Sequence, residues 1–180
     1  SQSARDVGTL LHKSLPYLNY ALWDTRILYE FMNRQPSQNQ IIVKVPKDAL
    51  ESVFNTLSKD FSGRVFLEPD RQLMERYVIA QEEAVIVSRL VSQTSEKQIE
   101  GIYSAPLENI LVDLLVEKEI FYIFQGEELA LIFQNAFAKY WINEKAMLRY
   151  AGRRKALPQL KEFIAQHPEI DSAILKEAIP

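Results

Sequence analysis

Along the first hundred residues the apolar positions keep changing period. Leu18 to Trp23 predicts a strand, and Ile27, Leu28, Phe31 and Met32, at i, i+1, i+4 and i+5, predict a helix capped by Asp24. Ile41-Ile42-Val43 is apolar on both faces, as a central strand is. Asp48-x-x-Glu51 reads as a capping box, opening a helix with the stripe Leu50, Val53, Phe54, Leu57 and Phe61. After the turn at Ser62-Gly63, Arg64 to Leu67 is a short strand. Pro69 then starts a helix carrying Leu73, Met74, Tyr77 and Val78, and Ala84 to Leu90 returns as a strand. Strands alternating with helices in this way predict a sheet covered by helices.

Beyond the polar stretch Ser92 to Gln98 and an edge strand near Ile99 to Tyr103, the pattern is helical. Leu107, Ile110, Leu111, Leu114 and Leu115 form one stripe; Leu129, Ile132, Phe133, Ala136, Phe137 and Tyr140 form the next, after Gly126. Asn143 is placed to cap a helix through Met147, Leu148 and Ala151, ended by Gly152 in the left-handed conformation. Helices over Pro158 to Gln166 and Pro168 to Ala178 follow. The fold class is therefore α/β, bordering on α+β. A mixed sheet of four or five strands occupies residues 1–103 and a helical half residues 104–180, together one unit with no linker-like composition between them.

Composition removes whole classes of function. With no cysteine among 180 residues, disulfide frameworks, thiolate metal sites and cysteine nucleophiles are excluded, and a reducing cytoplasm fits. The longest apolar runs fall far short of the ~20 residues of a membrane span, and the N-terminal sequence has no apolar signal region. The five glycines never cluster into a phosphate-cradling loop, His12 and His167 form no metal-binding pair, and no Gly-x-Ser-x-Gly elbow occurs. Neither a resident metal nor an organic cofactor is expected. Acidic pairs at Glu82-Glu83, Glu117 with Glu119, and Glu127-Glu128 read as solvated faces or helix starts.

Three features carry candidate chemistry. Glu108 falls inside the apolar arc of its helix between Leu115 and Val112, whereas Asp113 falls on the polar side with Asn109; Glu108 is expected to be buried and partnered. Asp24, after Trp23, is either an N-cap or a metal-binding acid. A nuclease-like site would pair it with Lys44, but Ile42 stands where a second acid is required. Finally, net charge is −3, yet Lys139 to Lys155 holds six basic residues against the single acid Glu144. Within that segment Arg149, Arg153, Arg154 and Lys155 are the candidate nucleic-acid contacts, their rival role being to complement a helix C-terminus.

Several motifs in order resemble a known family. Tyr20-Ala21-Leu22-Trp23-Asp24-Thr25, Glu30-Phe31-Met32 with Pro36, and Asp48-Ala49 with Glu51 to Phe54 resemble the effector half of AbiEi-type antitoxins of bacterial abortive-infection operons. Ser104 to Leu115, with Glu108 and Asp113, resembles their Pro-x-Glu…Leu-x-Asp helix. Ile142-Asn143 and Leu148-Arg149-Tyr150-Ala151-x-Arg153-Arg154 resemble the closing segment of that domain in an uncharacterised bacterial branch. The resemblance implies a non-enzymatic, cytoplasmic protein that neutralises a nucleotidyltransferase-like toxin and regulates its own operon. Only about fourteen residues precede Leu15, too few for the winged helix that precedes this domain in the family. The expected partners are thus a toxin protein, with weak DNA contact through the basic segment and a homodimer as further alternatives, and no membrane. The rival from another class is a nuclease-like hydrolase around Asp24 and Lys44.

Overall fold

The computed structural model, which describes residues 1–91, 97–99 and 102–173, begins with a helix that the pattern above leaves unassigned. In α1 (Gln2–Ser14), the Ser1 hydroxyl accepts the amide of Ala4, and Ala4, Val7, Gly8 and Leu11 form a buried stripe. Strand β1 (Ala21–Asp24) leads into a 3₁₀ helix over Thr25–Phe31, then β2 (Asn39–Val45). Helix α2 (Leu50–Asp60) buries Leu50, Val53 and Leu57, as its stripe predicts. Its capping box does not form: Asp48 lies in a 3₁₀ turn over Lys47–Ala49, and Ala49 precedes the helix without a side-chain cap.

Strand β3 (Val65–Leu67) is followed by α3 (Arg71–Leu73), capped by Asp70, which runs directly into a π turn over Met74–Val78. Strand β4 (Glu83–Arg89) follows. The expected edge strand Ile99 to Tyr103 is resolved into two short strands, β5 (Lys97–Ile99) and β6 (Ile102–Ser104), paired antiparallel. Most of the polar stretch Ser92 to Gln98 lies outside the described residues.

The sheet order is β3-β4-β2-β1-β6-β5. Pairing is parallel at β3–β4, β4–β2 and β1–β6 and antiparallel at β2–β1 and β6–β5, so the sheet is mixed and the fold is α/β. Every residue of β2 is buried, as expected for the strand at its centre. One face, carrying Leu22, Ile41, Val43, Val45, Val85 and Val87, packs against α1 and α2. Helix α1 approaches closely: a Cβ added at Gly8 would stand 2.9 Å from Ile102 Cγ1.

Two compact units are distinguished. One comprises Ser1–Tyr29 and Gln35–Ala105 and holds the sheet; the other comprises Glu30–Arg34 and the chain from Pro106 onward. The second contains α4 (Leu107–Val116), a 3₁₀ turn over Tyr122–Phe124, α5 (Glu127–Lys139), α6 (Glu144–Arg153) and α7 (Leu157–Gln166). Its core includes Ile110, Leu114, Ile132, Phe133, Met147, Leu160 and Ile164. Glu30–Arg34 is tied to α5 within this unit: Asn135 Nδ2 donates to the Phe31 carbonyl at 2.8 Å, and Tyr140 and Lys139 both bond Glu30.

Two expected ends differ. Gly152 is not left-handed; α6 continues through Arg153, and the positive φ (+54°) falls at Lys155. The helix expected over Pro168 to Ala178 starts later: residues 168–172 are not helical, Ala173 is, and residues 174–180 lie outside the described residues. Among the described residues, no helix is long and apolar enough to cross a membrane.

Candidate functional site

Strand register decides the fate of the Asp24–Lys44 pair. Asp24 is opposite Ile41 and Ala21 is opposite Lys44, and side chains alternate faces along each strand. Asp24 therefore shares its face with Leu22, Ile41 and Val43, while Lys44 shares the other with Ala21, Trp23 and Ile42. The two cannot meet over a common substrate.

Asp24 instead nucleates a polar cluster at the end of β1. Its carboxylate accepts the Arg26 backbone amide at 2.9 Å and a bidentate pair from the guanidinium, Nε to Oδ1 at 3.2 Å and Nη2 to Oδ2 at 2.8 Å. Arg26 Nη2 reaches on to Glu83 Oε2 at 3.1 Å, and Asn39 Nδ2 donates to both Asp24 and Glu83. Burial opposes the charge on Asp24, but the hydrogen bonds from Arg26 and Ser1 and the charge of Arg26 outweigh it, so the carboxyl lies below the ordinary range. Asp24, Arg26, Trp23, Ile27 and Ile102 line an open pocket of about 610 Å³ beside the first turn of α1.

In the helical unit, the structure brings together residues that the sequence reading held apart. Asp113 is buried, 2% exposed, and not on a solvent face. Tyr150 donates to Asp113 Oδ1 at 2.8 Å; Arg154 Nη1 pairs with the same oxygen while its Nη2 meets Glu117 Oε1 at 3.0 Å. Two complementary i, i+4 pairs thus face each other, Asp113 with Glu117 on α4 and its continuation, Tyr150 with Arg154 on α6. Burial and then the charge of Asp113 push the Tyr150 hydroxyl far above its ordinary value. Burial disfavours the charged guanidinium of Arg154, but Asp113 and Glu117 overcome it and hold it protonated.

Glu108 is half-buried and partnered by a backbone amide: Asn143 N donates to Glu108 Oε1 at 2.8 Å. The Asn143 side chain in turn caps α6 by accepting the Ala146 amide at 3.1 Å, as its sequence position predicts.

The basic segment divides. Arg154, its side chain only 6% exposed, is turned inward to the acids and is withdrawn from the candidate nucleic-acid contacts. Arg149, Arg153 and Lys155 are exposed. The acids Glu83 and Glu117, expected on solvated faces, are ion-pair partners of Arg26 and Arg154. Among the described residues, no three carboxylates or histidines converge as a metal site requires.

Arg26, Asn39 and Glu117 escaped the sequence reading. The signal for Glu117 was its four-residue spacing from Asp113, matched by the same spacing of Tyr150 and Arg154. Arg26, Asn39 and Glu83 are 57 residues apart at the extremes and meet only through strand order; nothing local announces them.

An α/β sheet unit and a helical unit, each with one buried or half-buried polar cluster, define the class of chain. The model for a family of unknown function, DUF6577, matches residues 1–170, and the chain belongs to that family. No curated protein and no solved structure matches it.

Proposed function

We propose that this chain is a non-enzymatic, cytoplasmic effector domain of the antitoxin type, which binds a nucleotidyltransferase-like toxin and adds a nucleic-acid contact through Arg149, Arg153 and Lys155. The resemblance of its motifs to AbiEi-type antitoxins supplies the partner. One structural observation supports the non-enzymatic part: the motif acids are bonded to groups that hold the fold. Asp24 is clasped by Arg26, Glu108 by the Asn143 amide, and Asp113 by Tyr150 and Arg154. Acids so engaged position helices and strand ends; a hydrolytic carboxylate must instead face a substrate or a metal.

The test is co-expression with the product of a neighbouring nucleotidyltransferase-like reading frame. Rescue of growth and co-purification of the two chains is the expected result. Persistent toxicity in the presence of folded, soluble chain overturns the reading.

A further inference from the structure

The solvent face of α6 carries only one kind of charge. Its exposed residues are Lys145, Arg149, Gly152 and Arg153, with exposed Lys155 just beyond. Two further basic residues of the segment do not belong to this face: Lys139 pairs with Glu30, and Arg154 with Asp113 and Glu117. The one acid, Glu144, accepts the Ser172 hydroxyl at 2.7 Å. What α6 presents outward is therefore a cationic row on a chain whose net charge is −3.

An exposed aromatic residue precedes α6, three residues before its first residue Glu144. Trp141 is 85% exposed, whereas the only other tryptophan, Trp23, is 3% exposed. On α6 itself Lys145, Arg149 and Arg153 follow one another at intervals of four residues. Along the helix that interval is about 6 Å, a repeat that successive phosphates of an extended single strand can follow. Gly152 leaves the helix backbone bare within the row, and among the described residues nothing lies within 4 Å of a Cβ built there. The fold makes no steric demand for glycine, while a strand lying close to the backbone does.

We infer that the outer face of α6, with Trp141 just before it, binds single-stranded nucleic acid: the cations take phosphates and the indole stacks on an unpaired base. The inference rests on the nucleic-acid part of the proposed function and commits it to a ligand class. A duplex offers the cations the same phosphates but keeps its bases stacked inward, which leaves the exposed indole without a role.

Trp141 is its own reporter. The isolated chain, with no toxin present, is titrated at about 50 mM salt with oligo(dT) and oligo(U) of about 12 nucleotides and with a duplex of equal length. Tryptophan fluorescence should be quenched by the single strands, and the quenching lost in Trp141→Phe. Binding should weaken roughly tenfold or more in Trp141→Leu and in Arg149→Glu, with melting temperatures unchanged because both side chains are exposed. A log–log salt slope near −2.1 is expected if about three phosphates are neutralised, by Lys145, Arg149 and Lys155. Tighter oligo(U) binding assigns RNA, and equal binding assigns the shared backbone and bases. Absence of quenching with both oligonucleotides overturns the inference, as does duplex binding at least as tight and indifferent to Trp141→Leu. Because no toxin enters the assay, failure of the antitoxin reading leaves this result standing, and the reverse also holds.

Discussion

The hydroxyl of Tyr150 donates to Asp113 Oδ1 at 2.8 Å, in a buried site where Arg154 pairs with the same oxygen. Removing the acid leaves an arginine that is almost fully buried with, among the described residues, Glu117 as counter-charge. Asp113→Ala should destabilise the helical unit by about 3–5 kcal/mol, the cost of breaking a buried ion pair. Tyr150→Phe should cost less, about 1.5–3 kcal/mol, as loss of a hydrogen bond to a charged group does. Denaturant unfolding of both variants checks the order; equal midpoints for Asp113→Ala and wild type would refute the assigned role.

The same tyrosine sets an alkaline limit. Its hydroxyl titrates higher in the folded chain than its unfolded value of about 10. The neutral hydroxyl is thus favoured by folding. That contribution is complete below the unfolded value and is lost as the pH rises beyond it. Wild type should lose stability above about pH 10 more steeply than Tyr150→Phe, which has no such group. Parallel stability profiles for the two chains would contradict this.

Glu108 and Asn143 are predicted to matter in different ways. Glu108→Ala removes the acceptor for the Asn143 amide and should cost more than about 1 kcal/mol, as loss of a charged hydrogen bond does. Asn143→Ala removes the helix cap and should cost about 1 kcal/mol. Thermal melts decide both, and an unchanged midpoint in Glu108→Ala would count against the contact.

Gly152 is helical and has open space around its missing side chain. Gly152→Ala should therefore stabilise α6 by about 0.5–1 kcal/mol. Had the glycine ended the helix in the left-handed region, the same change would destabilise, so the sign of the shift is diagnostic.

Asp24 and Lys44 project from opposite faces of the sheet. Magnesium or manganese with plasmid, single-stranded DNA or RNA should yield no cleavage. Cleavage abolished by Asp24→Ala would restore the hydrolase reading. Because its carboxyl titrates lower when folded, Asp24 stabilises above the unfolded value of about 4 and loses that contribution as the pH falls below it. Asp24→Asn should flatten the acid limb of the stability profile.

What the sequence made legible followed from local periodicity. The stripes of α2 and α4, that of α5 except Tyr140, which lies exposed beyond the helix end, the all-buried run of β2 and the Asn143 cap depend on residues within one or two turns, and they stand where the pattern put them. The α1 stripe of Ala4, Val7, Gly8 and Leu11 was equally local but is diluted by small and charged neighbours. Asp113 was misplaced because a helical wheel knows only its own helix: α6 supplies a second face of contact and turns a polar position inward. The Asp24 cluster was illegible for a different reason. Its members come from β1, the following turn, β2 and β4, and only the strand order gathers them.

Strand β1 is held very unequally on its two sides. Among the described residues, four pairs join it to β2 but a single pair, Leu22 with Ser104, joins it to β6, helped by the Ala105 amide donating to the Leu22 carbonyl at 3.2 Å. More than eighty residues separate those partners, so closing that contact carries the larger loop entropy for the smaller return. The seam between β1 and β6 is expected to open ahead of the central strands: the amide proton of Ala105, which donates to Leu22, should exchange with deuterium well ahead of those in β2 and β4. Since Ile102 of β6 fills the space beside Gly8, such an opening would also loosen the packing of α1 on the sheet, coupling the first helix to an interior seam.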